Sequence, residues 1–213
     1  MQPSTRALLP LAASGLALAL TACGGDGTSE LEPAPEVDTA GFTYGEVPTE
    51  NTKGPSIDES LMPPEPAPGT PRHERNAHTA LVQVSELTWT ADPDATAECP
   101  EVDLHAEGSY TCVVTYFGEE FEYLVELDEE RSTADYAAEE ARLVTGPIIV
   151  ENLEHDIRVW SLMPYVDCGL EGEVVAATDG EEVTCTALDD ETGATEEYLV
   201  TYSVLLGYSI EEV

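Results

Sequence analysis

Two halves of this chain carry the same landmarks in the same order, and that repetition constrains the fold more than any other feature. Trp89, Cys99, Thr111-Cys112 and Tyr123-Leu124-Val125 recur as Trp160, Cys168, Thr184-Cys185 and Tyr198-Leu199-Val200. The offset grows from 71 at the tryptophans to 75 at the tyrosines, dipping to 69 at the first cysteines, as it would if only turn lengths differ. A tandem duplication is the expectation, and each half must then be a small unit repeated once.

Strand signals fill both halves. In the first, Leu81–Trp89 places apolar residues at 82, 84, 87 and 89, a strand whose period slips between 84 and 87 and so carries a bulge or a break. Tyr110–Tyr116 is rich in β-branched and aromatic residues. After a turn at Phe117-Gly118-Glu119-Glu120, the alternation of Phe121, Tyr123, Val125 and Leu127 predicts a hairpin with one buried face. The second half offers Ile157–Trp160, Val183–Leu188, a turn at Asp189–Gly193, and Glu196–Leu206. Between the halves, Ser132 and Asp135 stand at capping-box spacing ahead of Ala134, Ala137, Ala138 and Ala141, and Gly146-Pro147 follows. This predicts one short helix with a narrow, small-residue face.

The N-terminal part reads differently. Arg6 and the uncharged apolar run from Ala7 to Leu20 have the layout of a secretory signal, and the run is too short to cross a bilayer, which takes about 20 residues. Leu20-Thr21-Ala22-Cys23, with Gly24-Gly25 after it, resembles the lipobox of bacterial lipoproteins. The resemblance implies cleavage before Cys23, a diacylglyceryl thioether on its sulfur, and attachment to the outer face of a cell membrane; the alternative is an ordinary cleaved signal that leaves a free cysteine. From Gly24 to Arg72 the chain holds nine prolines and ten acidic residues, a composition that cannot bury enough apolar surface to offset its ordering entropy. Residues 23–72 are therefore expected to be the acylated cysteine and a disordered tether, spanning on the order of 40 Å as a coil or ~150 Å if polyproline-like. Its few apolar residues, Phe42, Tyr44, Ile57, Leu61 and Met62, read as isolated linker residues rather than as a partner-binding motif.

Charge narrows the partners. With 44 Asp and Glu against 7 Lys and Arg, the formal net charge is −37, which excludes nucleic acid and anionic lipid as electrostatic partners and leaves cations and basic surfaces. With Cys23 assigned to lipid, four of the five cysteines remain, and an even remainder in an exported chain reads as two disulfides.

The run Cys99-Pro100-Glu101-Val102-Asp103-Leu104, with Gly108, Cys112 and the strand returning through Val125, resembles the small Cys-pair domain of unknown function common in actinobacterial secreted lipoproteins. That family opens with Cys-Pro, reaches a glycine before a second cysteine on a strand, and usually has a helix first. The resemblance covers about 30 residues here and is looser in the second half, where Gly169 replaces the proline. It implies a fold and an envelope location, and no activity. Four cysteines allow three connectivities, of which the repeat and the resemblance favour Cys99 with Cys112 and Cys168 with Cys185.

No catalytic or cofactor site is expected. His73, His78, His105 and His155 are scattered, and no Gly-x-Ser-x-Gly elbow exists. Carboxylate pairs such as Glu119-Glu120, Glu139-Glu140 and Asp189-Asp190-Glu191 are so numerous that none stands out as a general acid and base. Calcium on the turns of Asp92, Asp94 and Asp189–Thr192 is the sharper alternative, although no EF-hand loop is present. The expectation is thus an α+β chain: signal 1–22, tether 23–72, a first β module at 73–130, and a helix with a second β module at 131–213, all disulfide-closed. The expected function is a non-catalytic, membrane-anchored interaction module for an envelope protein or cell-wall component, with a cation-binding or halo-tolerance acidic surface as the alternative.

Overall fold

The computed structural model of the protein describes residues 37–48, 59–103, 108–133 and 136–213, which belong to one compact unit, Glu36–Val213. The signal, Cys23 and His105 lie outside the described residues. Part of the expected tether is ordered structure: Thr43–Tyr44 forms a short strand, β1, and a turn of 3-10 helix covers Glu59–Leu61.

The strand expected over Leu81–Trp89 is instead the second half of a helix, α1 (Arg72–Thr88). Asn76, Ala80, Val84 and Thr88 are buried at four-residue spacing, which is one stripe of a helix. The break in alternation between Val84 and Leu87 is this period showing through a segment whose valines and threonines favour strands locally. The helix closes at Trp89, which takes a left-handed conformation (φ 54°) and donates its N–H to the Glu86 carbonyl. Trp89 is 60% exposed, so it is a helix terminator and not a core residue.

A four-stranded antiparallel sheet follows in chain order: β2 (Thr96–Glu98), β3 (Ser109–Tyr116), β4 (Glu119–Thr133) and β5 (Tyr136–Leu143). The expected hairpin is present. Tyr116 pairs with Glu119 across Phe117-Gly118, both at positive φ, the two-residue turn whose twist suits antiparallel strands. Phe121, Tyr123 and Val125 point into the core while Glu120, Glu122 and Glu126 face out, as their alternation requires.

The helix expected over residues 132–141 is replaced by β4 and β5, with Ala134 and Asp135 outside the described residues. Ser132 does not cap a helix; its hydroxyl donates to the Asp128 carbonyl and accepts the Ala138 N–H, joining the two strands. Helix propensity loses because β4 would otherwise present an unpaired edge, which β5 covers from Tyr123↔Leu143 to Asp128↔Ala138. Ion pairs of Arg131 with Asp128 and Glu140, and of Arg142 with Glu126, tie the same strands. The first module therefore extends through Leu143, beyond residue 130.

Strand β6 (Thr145–Ile149) leads into α2 (Val150–Ser161), so Ile157–Trp160 is helical and not a strand. Leu153 and Ile157 are buried on one row of α2, Glu154 and Arg158 on the next. Then come β7 (Tyr165–Asp167), β8 (Val174–Thr178), β9 (Glu182–Leu188), β10 (Thr195–Ser203) and β11 (Gly207–Glu212). The second sheet has the order β1-β7-β9-β10-β11, and β6 pairs with β8 in a separate two-stranded ladder.

The halves share one arrangement, a helix followed by four antiparallel strands in the order β2-β3-β4-β5 and β7-β9-β10-β11, the second with β8 inserted in the chain between β7 and β9. Cys99 bonds Cys112 and Cys168 bonds Cys185. In each case the residue before the first cysteine pairs with the residue after the second, Glu98↔Val113 and Asp167↔Thr186. Tyr123 and Tyr198 sit opposite the second cysteines. The position of Trp89 is filled in the second half by Leu162, also left-handed (φ 60°), and not by the 66%-exposed Trp160. Ten residues separate Trp89 from Cys99 and six separate Leu162 from Cys168, which accounts for the dip in offset at the first cysteines. The two meanders stay separate sheets but share one core, with β6 packed on α1, α2 and β4.

Two expected outcomes follow from this packing. Replacing Cys168 and Cys185 together by alanine opens a loop of 17 residues and should cost roughly 3 kcal/mol in urea unfolding; a loss under ~1 kcal/mol would mean that the ladder holds β7 unaided. The second concerns alkaline pH. The Tyr116 hydroxyl lies 2.7 Å from Thr88 Oγ1 and donates to the Thr90 carbonyl at 2.9 Å, and burial pushes its pKa up to about 12. Burial also raises Tyr202, near Asp179, and Tyr208, whose hydroxyl donates to Asp156. Folding favours the neutral phenols, so this stability is complete below the unfolded value of ~10 and lost as pH climbs through the raised values. Melting temperature should fall steeply above pH ~10, less so in Tyr116→Phe; tyrosinate absorbance showing every tyrosine ionising at the free value would contradict this.

Candidate binding cleft

A cleft of about 990 Å³ lies where the Thr43–Pro48 segment, helix α2 and the Leu170–Glu173 loop meet. Its floor is set by sequence-local choices. Glu154 and Arg158 stand four apart on α2, on a row that the neighbouring Leu153 and Ile157 pull against the core. Both charges are therefore buried, with side chains 9% and 5% exposed and Arg158 Nη2 3.2 Å from Glu154 Oε2. Such a pair is tolerated only when its remaining donors are satisfied. Arg158 meets that condition by donating to two main-chain carbonyls, from Nη2 to Thr43 at 2.8 Å and from Nε to Pro164 at 3.2 Å.

The first of those carbonyls belongs to β1. Thr43 pairs with Val166 and Tyr44 with Tyr165, the two tyrosine rings lying 5.3 Å apart, and the Gly45 N–H donates to the Pro164 carbonyl at 2.9 Å. Glycine is needed at 45 for space: a Cβ there would stand 2.5 Å from Arg158 Nε and 2.7 Å from its Cζ. The edge of β7 and Arg158 thus hold an extended segment by its backbone, and that segment forms one wall of the cleft, which Glu46, Glu151, His155 and Glu173 also line.

Of the candidate site residues singled out in the sequence, His155 lines the cleft, and the other described ones lie elsewhere. The four disulfide cysteines hold β2 to β3 and β7 to β9, away from any shared centre. His78 meets the Pro63 carbonyl, and His73 lies 3.9 Å from Glu74. The carboxylates considered for calcium organise turns instead. Asp92 accepts the N–H groups of Asp94 and Phe117. Asp189 accepts from Glu191, Thr192 and the Thr192 hydroxyl, and the latter bonds hold its carboxyl below the usual range. Among the described residues no group of three or more His, Cys, Asp or Glu is placed to hold a metal ion.

The cleft itself escapes sequence reading. Glu154 and Arg158 have the i, i+4 spacing of any exposed helix pair, and Thr43-Tyr44-Gly45 lies in a proline-rich stretch with nothing to mark it as a strand. The buried pair makes a testable claim: Arg158→Met leaves Glu154 buried without its partner and should cost about 3–5 kcal/mol, whereas Arg158→Met with Glu154→Leu should recover most of it. Urea unfolding checks both, and a single-variant cost below ~1 kcal/mol would mean that water reaches the pair. No protein-family model matches this chain, and neither a curated protein nor a solved structure matches it.

Proposed function

We propose that the protein is a membrane-anchored lipoprotein of the outer face, a member of the Cys-pair lipoprotein group, acting as a non-catalytic interaction module for another envelope component. The observation that carries the interaction reading is the edge of β7 beside α2, which holds an extended segment of the chain itself through main-chain hydrogen bonds and one buried arginine. That is how a domain binds another chain by adding a strand to a sheet edge. Two disulfides fit an oxidising compartment.

Anchoring rests on Leu20-Thr21-Ala22-Cys23. Two acyl chains, at roughly 0.8 kcal/mol per buried methylene, hold a protein at a membrane where one does so only marginally. Because the compact unit begins at Glu36, the stretch from lipid to folded structure is residues 23–35, which reaches no further than ~47 Å. The docked segment therefore keeps the domain closer to the membrane than a tether running to residue 72 would.

The mature protein should enter the detergent phase on Triton X-114 partitioning and carry its label after growth with radiolabelled palmitate. Cys23→Ala should move it to the aqueous phase and remove the label. Unchanged partitioning of that variant would sink the anchor.

A further inference from the structure

We infer that the edge of β7 under α2 is a strand-acceptor groove for a basic, glycine-containing extended segment of a partner protein, and that Thr43–Gly45 fills it as a removable occupant. This deepens the interaction-module reading and rests on it.

Comparison of the repeats supplies the first reason. The first meander ends at β2, whereas the second carries the additional strand β1 on the equivalent β7. The extra strand is not part of the repeated fold; it occupies an edge that the fold leaves open, and a sheet edge is a template for another chain.

The manner of binding supplies the second. The hydrogen bonds to the segment are through its backbone: the Thr43 carbonyl to Arg158 Nη2, the Gly45 N–H to Pro164, and the pairing of Thr43 and Tyr44 with Val166 and Tyr165, beside which the Tyr44 and Tyr165 rings touch. The side-chain requirement is the absence of one at position 45, where Arg158 leaves no room. None of residues 37–48 is fully buried, and Tyr44 is 62% exposed. Leaving the groove costs the segment a few hydrogen bonds and no core, but leaves Arg158 short of an acceptor, so the groove favours having some occupant.

Charge selects which occupant. Besides the Glu154–Arg158 pair, Glu151 and Glu173 line the cleft next to the segment, and the segment adds Glu46. Arg158 is already committed to Glu154. A carboxylate at position 46 thus shares the cleft with Glu151 and Glu173, and a lysine or arginine there would be the complementary charge. A second copy of this chain is the poorer partner, since it would bring the same Glu46 and a net charge of −37.

The test uses the full chain and fluorescent synthetic peptides spanning residues 40–48, in the natural sequence and with Glu46→Lys. Gly45→Val in the full chain removes the competing segment. In low-salt anisotropy titrations this variant should bind the Glu46→Lys peptide roughly tenfold more tightly than the natural peptide, with the difference vanishing as salt is raised. The unmodified chain should bind more weakly, and a Glu46→Lys peptide that also carries Gly45→Val should not bind. Should the Gly45→Val chain fail to fold by circular dichroism, excess Glu46→Lys peptide added to the unmodified chain should shift the amide NMR signals of Tyr165, Val166 and Asp167. No binding in either format overturns the groove, and equal affinity for both peptides at low salt overturns the basic partner. Tighter binding of the natural peptide, with dimers in sedimentation, overturns it in favour of segment exchange between copies. Loss of peptide binding with detergent partitioning intact removes the groove alone and leaves the anchored-lipoprotein reading standing.

Discussion

Each repeat depends on a covalent bond across its edge. The first strands of the meanders, β2 and β7, are three residues long, too short to hold themselves to a neighbour by a ladder alone. The disulfides Cys99–Cys112 and Cys168–Cys185 fasten them just past the last paired residues. Cys112 and Cys185 are fully buried, so each bond also seats a strand on the core. In a chain of net charge −37, where repulsion opposes compaction throughout, such fastening has more to do than in a neutral domain.

The core so formed is divided between two sheets and joined by a third element. Tyr116, Phe121 and Val125 line it from the first meander, Val200 and Tyr202 from the second, and Leu153 and Ile157 from α2. The β6–β8 ladder lies between the repeats, and its fit is close: a Cβ at Gly146 would meet the Tyr202 hydroxyl at 2.0 Å. Duplication thus yields one body and not two beads, because neither meander with its helix covers the whole of its own apolar face. On the acidic surface that results, Asp92 and Asp189 shape turns, and Glu126 and Glu140 pair with arginines across the β4–β5 ladder. At α2 a carboxylate, Glu154, is carried inward, and the arginine that follows it there is what reaches the Thr43–Gly45 segment.

Much of this was legible in order of sequence distance. The hairpin at Phe117-Gly118 and the facing of Phe121, Tyr123 and Val125 follow from alternation and turn chemistry, both local. The cysteine pairing followed from the repeat. The errors came where local preference and distant pairing disagree. Val82, Val84 and Thr88 favour a strand by themselves, but the stripe through Asn76, Ala80, Val84 and Thr88 packs as a helix. Ala137, Ala138 and Ala141 favour a helix, but the open edge of β4 takes them as a strand. The cleft was least legible, since its two sides, Thr43–Gly45 and Glu154–Arg158, are more than a hundred residues apart.

The sequence by itself determined an α+β chain of two related, disulfide-closed modules of antiparallel strands, because strand alternation, turn residues and repeated cysteines act over distances of a few residues. Tertiary structure alone decided that residues 72–88 are helix and 136–143 strand, that the meanders remain separate sheets, and that part of the proline-rich segment returns to the edge of β7. Those outcomes depend on which unpaired edge or apolar face lies within reach once the chain has folded, and no residue carries that information in its own neighbourhood.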